Sequence, residues 1–279
     1  MSDSRLASTF NSTSEYFDFV TPLVWGPAGQ SLAFALELAA GESVLDVCAG
    51  TGASALPAAA AVGPYGVVHA IDLADDLLEV GRLKATESAL RNVEFVCADA
   101  TEWESPSSVS GGYDALSCSY GIFFLPDMEV SFSRLVGLVR PGGRVGVTVW
   151  RKGAVEAFGG AFFDVVERHA PGDAHTGLLS RKNYDSNPIR RVETEETLRA
   201  WLADQGLKNI QVRVLSNQVP ATEDFIWNFV LGSGFRGALQ SFDDNTCAEI
   251  RREFSELLTS RGIDSVDATT LVATGVRPS

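Results

Sequence analysis

Cysteine is scarce in this chain: its 279 residues carry four, Cys48, Cys97, Cys118 and Cys247. No two of them form a C-x-x-C pair, and a chain of this length has no need of a disulfide framework, so reduced, mostly buried thiols are expected. Basic residues are also few, with 22 Lys and Arg against 36 Asp and Glu and a net charge of −14. A surface this acidic repels phosphate backbones and anionic lipid, which argues against nucleic acid and membranes as partners. Long apolar runs are missing too: Gly and Pro interrupt each one before the roughly 20 residues needed to span a bilayer. The opening stretch MSDSRLASTFNSTSEY lacks the apolar core of a signal peptide. The expectation is a cytoplasmic protein whose partner is a small molecule, with a homodimer left open. At 45% hydrophobic and 21% charged residues the chain is neither disordered nor fibrous. Its length suits one large domain with an appendage.

Between Gly41 and Trp150, short apolar runs alternate with helical stretches. The runs are SVLDVCAG (43–50), GVVHAIDL (66–73), VEFVCADA (93–100), YDALSCSY (113–120) and GRVGVTVW (143–150). They are rich in Val and Ile and apolar on both faces, the pattern of parallel strands covered by helices on both sides. After Trp150 the rhythm changes: helical segments at 153–169, 193–205 (closed by Gly206), 222–231 and 243–260 surround strands at 208–219 and 267–277. Asp243, Asp244 and Asn245 are the cap candidates for the last helix. The predicted fold is α/β, a doubly wound seven-stranded sheet with an antiparallel last strand and helical lid insertions after strands 5 and 6. Residues 1–42 form an N-terminal helical segment over the site, 43–150 the cofactor-binding core, and 151–279 the lid insertions and last two strands. Ligands of open parallel sheets bind beyond the carboxyl ends of strands, where both insertions begin.

The first strand runs into Cys48-Ala49-Gly50-Thr51-Gly52-Ala53. Glycines at such a turn let backbone approach a ligand, and the following helix presents free N–H groups. Three carboxylates give the turn meaning. Asp46 interrupts an apolar strand, Asp72 ends the second strand 20 residues after Gly52, and Asp99 ends the third. Each alone could serve as a local cap; together they point to one ligand at one sheet edge. Gly50-x-Gly52-x-x-Ala55 with Asp72 also satisfies the dinucleotide fingerprint, so an NAD-dependent oxidoreductase is the alternative. Against it, Asp46 would repel a pyrophosphate, and no Tyr-x-x-x-Lys pair follows the fourth strand.

These residues resemble the class I S-adenosylmethionine-dependent methyltransferases, and among them the small-molecule group of ubiquinone/menaquinone-biosynthesis enzymes. VLDVCAGTG, HAIDLADDLLEVGR and VEFVCADATEW are similar to that family's first three motifs. YDALSCSYGIFFLPD and RLVGLVRPGGRVGVTVW are similar to its fourth- and fifth-strand blocks. The resemblance implies a Rossmann-like fold and S-adenosylmethionine as cofactor, with S-adenosylhomocysteine as product. It implies that Asp46 approaches the methionine ammonium, with Ala49, Gly50 and Gly52 along the carboxypropyl chain. Asp72 would take both ribose hydroxyls and Leu73 would border the adenine. Asp99 and Ala100 would meet the adenine amino end, and Ser119 would lie near the methionine portion. Cys48 stands where a glycine is usual, and Phe123 and Phe124 stand where some relatives carry histidines. A relative that holds the cofactor without transferring methyl is the other alternative.

The function expected is methyl transfer to O, N or C of an apolar or aromatic metabolite, an in-line displacement in which positioning does much of the work. Candidates for the acceptor side are Tyr16, Trp25, Tyr120, Phe124, Tyr184 and Trp227. His169, His175 and Tyr184 are the available bases, none named as catalytic, and His69 reads as a core histidine. No metal site is expected, since the fourth strand ends in Ser119-Tyr120 rather than a carboxylate. No Asn/Asp-Pro-Pro-aromatic element follows that strand either. Arg181, Lys182, Arg190 and Arg191 are either a solvated loop face or an anchor for a substrate anion. Of the aromatics in the insertions, most are expected to pack the lid onto the sheet.

Overall fold

Apolar side chains alternate sides along β1 (Ser43–Val47): Leu45 and Val47 enter one apolar cluster and Val44 another. In β2 (Val67–Asp72), Ile71 joins the first cluster while Val68 and Ala70 join the second. With both faces buried, β-branched residues are favoured at every position, which is why these runs lack a polar side. The structure, a computed structural model, describes residues 2–169 and 187–279. The remaining strands are β3 (Val93–Cys97), β4 (Tyr113–Ser119), β5 (Val139–Trp150), β6 (Lys208–Leu215), β7 (Gln218–Pro220), β8 (Ser265–Asp267) and β9 (Thr270–Val276). Seven of them form one sheet in the order β3-β2-β1-β4-β5-β9-β6. β1 pairs in parallel with β2 (Val47 beside Ile71) and β4 (Val47 beside Cys118). β9 runs antiparallel to both neighbours, with Ala273 facing Val147 on one side and Val212 on the other. This is the predicted doubly wound sheet with its antiparallel strand.

The helices are α1 (Ser2–Asn11), α2 (Ser14–Val20), α3 (Trp25–Ala35), α4 (Ala55–Val62), α5 (Asp75–Glu87), α6 (Met128–Gly137), α7 (Glu156–His169), α8 (Glu195–Asp204), α9 (Glu223–Leu231) and α10 (Asp244–Ser260). Of the three cap candidates for α10, Asp243 takes the role, its side chain accepting from Thr246 N at 2.8 Å. Gly206, at φ 81, follows α8 as expected. Two departures from the sequence reading concern strands. The run 208–219 breaks at Asn217, whose carbonyl accepts from Ala268 N (2.8 Å) and whose Nδ2 donates to Leu23 O (2.8 Å). Beyond it, β7 leaves the sheet and pairs with β8 in a separate two-stranded ribbon. The run 267–277 is correspondingly divided between β8 and β9.

The insertion after β5 contributes α7 and a 3-10 turn at Pro188–Arg191; that after β6 contributes α9, a 3-10 turn at Gly234–Leu239, and α10. Phe158 on α7 meets Phe254 on α10 edge to face at 5.0 Å and Phe229 on α9 at 5.3 Å, so the two insertions share one aromatic core. α1 and α2 close over the same edge. Asn11 Oδ1 accepts from Asp76 N (3.1 Å), Thr9 Oγ1 accepts from Gln240 Nε2 (2.9 Å), and Asp18 pairs with Lys84. Among the described residues no helix is long and apolar enough to cross a membrane.

Candidate active site

Past Val47 the backbone turns left-handed, with Cys48 at φ 57, Gly50 at φ 53 and Gly52 at φ 87. A Cβ on Gly52 would lie 2.9 Å from Leu56 Cγ and 3.0 Å from Phe95 Cζ, so both φ and space demand glycine there. α3 holds the turn from behind: a Cβ on Gly29 would sit 2.2 Å from Ala53 O. Cys48 adopts the same region with a side chain, a strained arrangement. The neighbouring Cys118 thiol and burial hold its pKa above the ordinary thiol range.

The three carboxylates sit in three environments. Asp46 is 0% exposed, between the sheet and the start of α4. It accepts from Ser117 Oγ and from Ser54 Oγ (2.9 Å), and among the described residues it has no cation beside it. Burial pushes its pKa up to about 7, with the charge of Asp72 adding to the shift and the two serines opposing it. Asp72 accepts from Gly50 N (2.9 Å) on one oxygen and Ala74 N (3.0 Å) on the other. Burial raises its pKa, and those backbone N–H groups oppose the rise. Asp99 accepts from Thr101 N and Thr101 Oγ1, both at 2.7 Å, on the same oxygen, leaving Oδ2 open. Local capping of Asp72 and Asp99 therefore does not use up either carboxylate, because each has lone pairs beyond those its neighbours take.

A cavity of about 200 Å³, far larger than one water needs, opens on this edge. Ala49, Gly50, Asp72, Leu73, Asp99, Ala100 and Ser119 line it. Asp46 and Gly52 do not line it: Gly52 packs against Leu56 and Phe95, and Asp46 lies behind the wall residue Ser54. Of the acceptor candidates, Trp25, Tyr120 and Phe124 line the cavity. Tyr16 does not; its ring lies under Arg236, 5.5 Å from the guanidinium carbon. Trp227 does not either, and stacks with Arg251 at 6.0 Å in a surface groove between α9 and α10. Tyr184, His175, Arg181 and Lys182 lie outside the described residues. His169 bonds Glu253 (3.1 Å), tying α7 to α10 away from the cavity. His69 is buried against the Tyr113 hydroxyl (2.8 Å), and burial lowers its pKa. Arg190 pairs with Glu193 (2.9 Å) and Arg191 with Glu129, so this half of the basic patch is neutralised. Among the described residues no group of three or more His, Cys, Asp or Glu side chains could hold a metal ion.

Several wall residues escaped the sequence reading. Phe10 and Phe17 come from α1 and α2, and because the helix breaks at Ser12 and Thr13 their spacing of seven places them on no common face, so nothing local marked them. Trp150, Phe229 and Phe235 are the insertion aromatics that reach the cavity, whereas Phe162, Phe225 and Phe254 fill the core beneath. Ser233 and Asn187 also line it, and nothing local marked either.

Comparisons with known proteins agree with this arrangement. A family model, the ubiE/COQ5 methyltransferase family, matches residues 28–224. The aklanonic acid methyltransferase DauC of Streptomyces sp. (strain C5) is 35% identical over 151 residues, 53% of this chain and 67% of that protein. The ubiquinone/menaquinone biosynthesis C-methyltransferase UbiE of Enterobacter sp. (strain 638) is 30% identical over 176 residues, 61% of this chain and 68% of that protein. Among solved structures, a putative methyltransferase from Bacillus halodurans C-125 superimposes with a TM-score of 0.58 at 17% identity, covering 90% of this chain and 99% of that one. That likeness is one of fold.

Proposed function

The chain belongs to the ubiE/COQ5 methyltransferase family, whose members are S-adenosylmethionine-dependent enzymes, and from that premise we propose that it methylates a small, apolar, ring-bearing metabolite. The observation that carries this reading is the mixed lining of one cavity, which combines the backbone and carboxylates around the glycine turn with the aromatic rings of Phe10, Phe17, Trp25, Phe124 and Phe229.

The glycine turn and the two wall carboxylates fit the cofactor. Gly50 brings bare backbone to the wall, and Asp72, fixed by two N–H donors, keeps lone pairs for two ribose hydroxyls. Asp99 Oδ2 is open to an adenine amino group, with Ala100 beside it and Leu73 against the ring. Asp46 acts one layer back: Ser54 donates to it and can accept in turn from the methionine ammonium, while Ala49 and Ser119 border the amino-acid chain and Gly52 shapes the turn from behind. When bound, S-adenosylmethionine supplies an electrophilic methyl on a sulfonium. Apart from Asp72 and Asp99, the described side chains of the cavity wall include no carboxylate, imidazole or amine. These side chains therefore act by orienting the acceptor and excluding water, and ideal positioning contributes up to roughly 7–11 kcal/mol.

The test is ligand-induced stabilisation, which grows as RT ln(1 + [L]/Kd). S-adenosylhomocysteine should raise Tm and NADH should not, and Asp72→Ala should abolish the rise. A Tm rise with NADH alone, or an undiminished response in Asp72→Ala, would overturn the assignment.

A further inference from the structure

Parallel strands are ordinarily joined by a helix, but the chain crosses from β3 to β4 without one. Residues 98–112, which carry Asp99 and Ala100 to the cavity wall, therefore take their positions from side-chain anchors. Arg134 on α6 donates to Ala100 O (3.3 Å) and to Trp103 O (2.5 Å). The half-buried Trp103 is anchored by its side chain as well, its Nε1–H donating to the Tyr113 hydroxyl at 3.2 Å. An indole N–H only donates, so that hydroxyl is an acceptor here and its own proton must go elsewhere. Tyr113 is 0% exposed, and burial pushes its pKa up to about 12, so the proton stays on it. The acceptor in reach is His69 Nδ1, at 2.8 Å. His69 thus accepts at Nδ1 and carries its hydrogen on Nε2, which faces Glu94 at 3.8 Å. Glu94 on β3 is the charged group beside the imidazole, and it favours the imidazolium, while burial opposes it more strongly. Leu45, its neighbour on β1, is apolar, and Asp114 on β4 is turned to Ser43 N (2.8 Å) and Arg140 (2.6 Å).

We propose that His69, Tyr113 and Trp103 form a proton-sensitive tether for the loop that presents Asp99 to the adenine. Neutral His69 takes the Tyr113 proton, Tyr113 takes the Trp103 N–H, and the loop is held where Asp99 meets the adenine amino group. A proton added at His69 Nδ1 turns that acceptor into a donor. The Tyr113 oxygen then faces two N–H groups, while its own buried proton has no acceptor among the described residues. An unsatisfied buried group of this kind destabilises the network, so the tether slackens. The three are positioning residues: none of them lines the cavity, and they act through Asp99. The inference rests on the S-adenosylmethionine reading above.

The test is calorimetric titration of the full chain with S-adenosylhomocysteine and with S-inosylhomocysteine, which carries an oxygen in place of the adenine amino group. The quantity read is the ratio of the two affinities. Asp46 titrates in the same range, but both ligands share the amino-acid portion near it, so the ratio is insensitive to it. At pH 7.5 the unaltered protein should prefer S-adenosylhomocysteine roughly tenfold or more, the worth of one hydrogen bond to a charged group. Lowering the pH to 5.5 should shrink that preference roughly three- to tenfold, as part of that bond is lost. Tyr113→Phe and Trp103→Phe should show the reduced preference at both pH values. His69→Asn, whose amide oxygen stands in for Nδ1 and does not titrate, should keep the full preference at both. A preference that does not change with pH in the unaltered protein would overturn the proposal. So would one that survives in either Phe variant, or a His69→Asn protein that still responds to pH. The pH series needs no substitution, so the test stays decisive if a variant fails to fold. If the unaltered protein binds neither ligand, the underlying methyltransferase reading falls; if it binds both equally at pH 7.5, Asp99 does not read the adenine and the tether falls.

Discussion

Asp46 is a fully buried carboxylate whose side-chain partners among the described residues are two hydroxyls, and it should make the ligand-free protein less stable as pH rises. Its folded-state pKa is about 7 against an ordinary 3.8. Between those values the unfolded chain has released a proton that the folded chain still holds, so stability falls with pH across that window and levels off above it. A shift of about three units at 1.36 kcal/mol each is on the order of 4 kcal/mol. Asp46→Asn removes the titration and keeps the geometry, because the amide oxygen accepts from one serine and the amide nitrogen donates to the other. At pH 8 the variant should therefore be more stable than the parent by up to ~4 kcal/mol, or roughly 10 °C in Tm. Near pH 4 the difference should vanish. At pH 8, where Asp46 is ionised, the same variant should lose affinity for S-adenosylhomocysteine, since the negative charge behind Ser54 is gone. Urea titrations from pH 4 to 8.5 on both proteins measure the first effect, and calorimetric titration with S-adenosylhomocysteine measures the second. A stability difference that is constant across pH would refute the buried-charge argument, whatever its sign.

Gly29→Ala places a methyl 2.2 Å from Ala53 O, so α3 and the glycine turn must separate. We expect a loss of about 1–3 kcal/mol in urea unfolding, as for other overpacked sites, together with weaker S-adenosylhomocysteine binding. Tyr120→Phe removes a buried hydroxyl that bonds Thr270 while leaving its ring against Trp25. It should cost about 1–2 kcal/mol of stability and leave the pH profile of methyl transfer unchanged; a profile that moves would make Tyr120 a proton carrier.

β1, β2, β4 and β5 were legible because each is largely buried on both faces and so apolar throughout, whereas β3, at the sheet edge, buries only Phe95. Asp46 was legible for the converse reason: a carboxylate inside such a strand is a local anomaly that only a partner or a ligand explains. The glycine turn with Asp72 left two cofactor classes open, and membership of the methyltransferase family decides between them. The acceptor wall was harder to read because an aromatic residue type says nothing about its direction. Phe225 and Phe229, four apart on α9, point inward, whereas Trp227 lies two residues on, about 200° around the helix, and meets Arg251. Tyr16 and Phe17 divide in the same way on α2, and only Phe17 reaches the cavity. The ribbon of β7 and β8 joins two three-residue strands, too short to carry any periodicity.

β9 brings residues 270–276 between strands made of residues 139–150 and 208–215. During synthesis, the β5 edge has no sheet partner until those residues have left the ribosome, and β6 has no route into the sheet at all. The nascent core can pair β1 to β5 while exposing an apolar β-branched edge, the kind of surface on which unfinished chains associate. Sequence separations of this size also make the final closure a slow, non-local event. The same strand that completes the platform beneath the cavity thus sets the moment at which a newborn chain becomes safe from its neighbours.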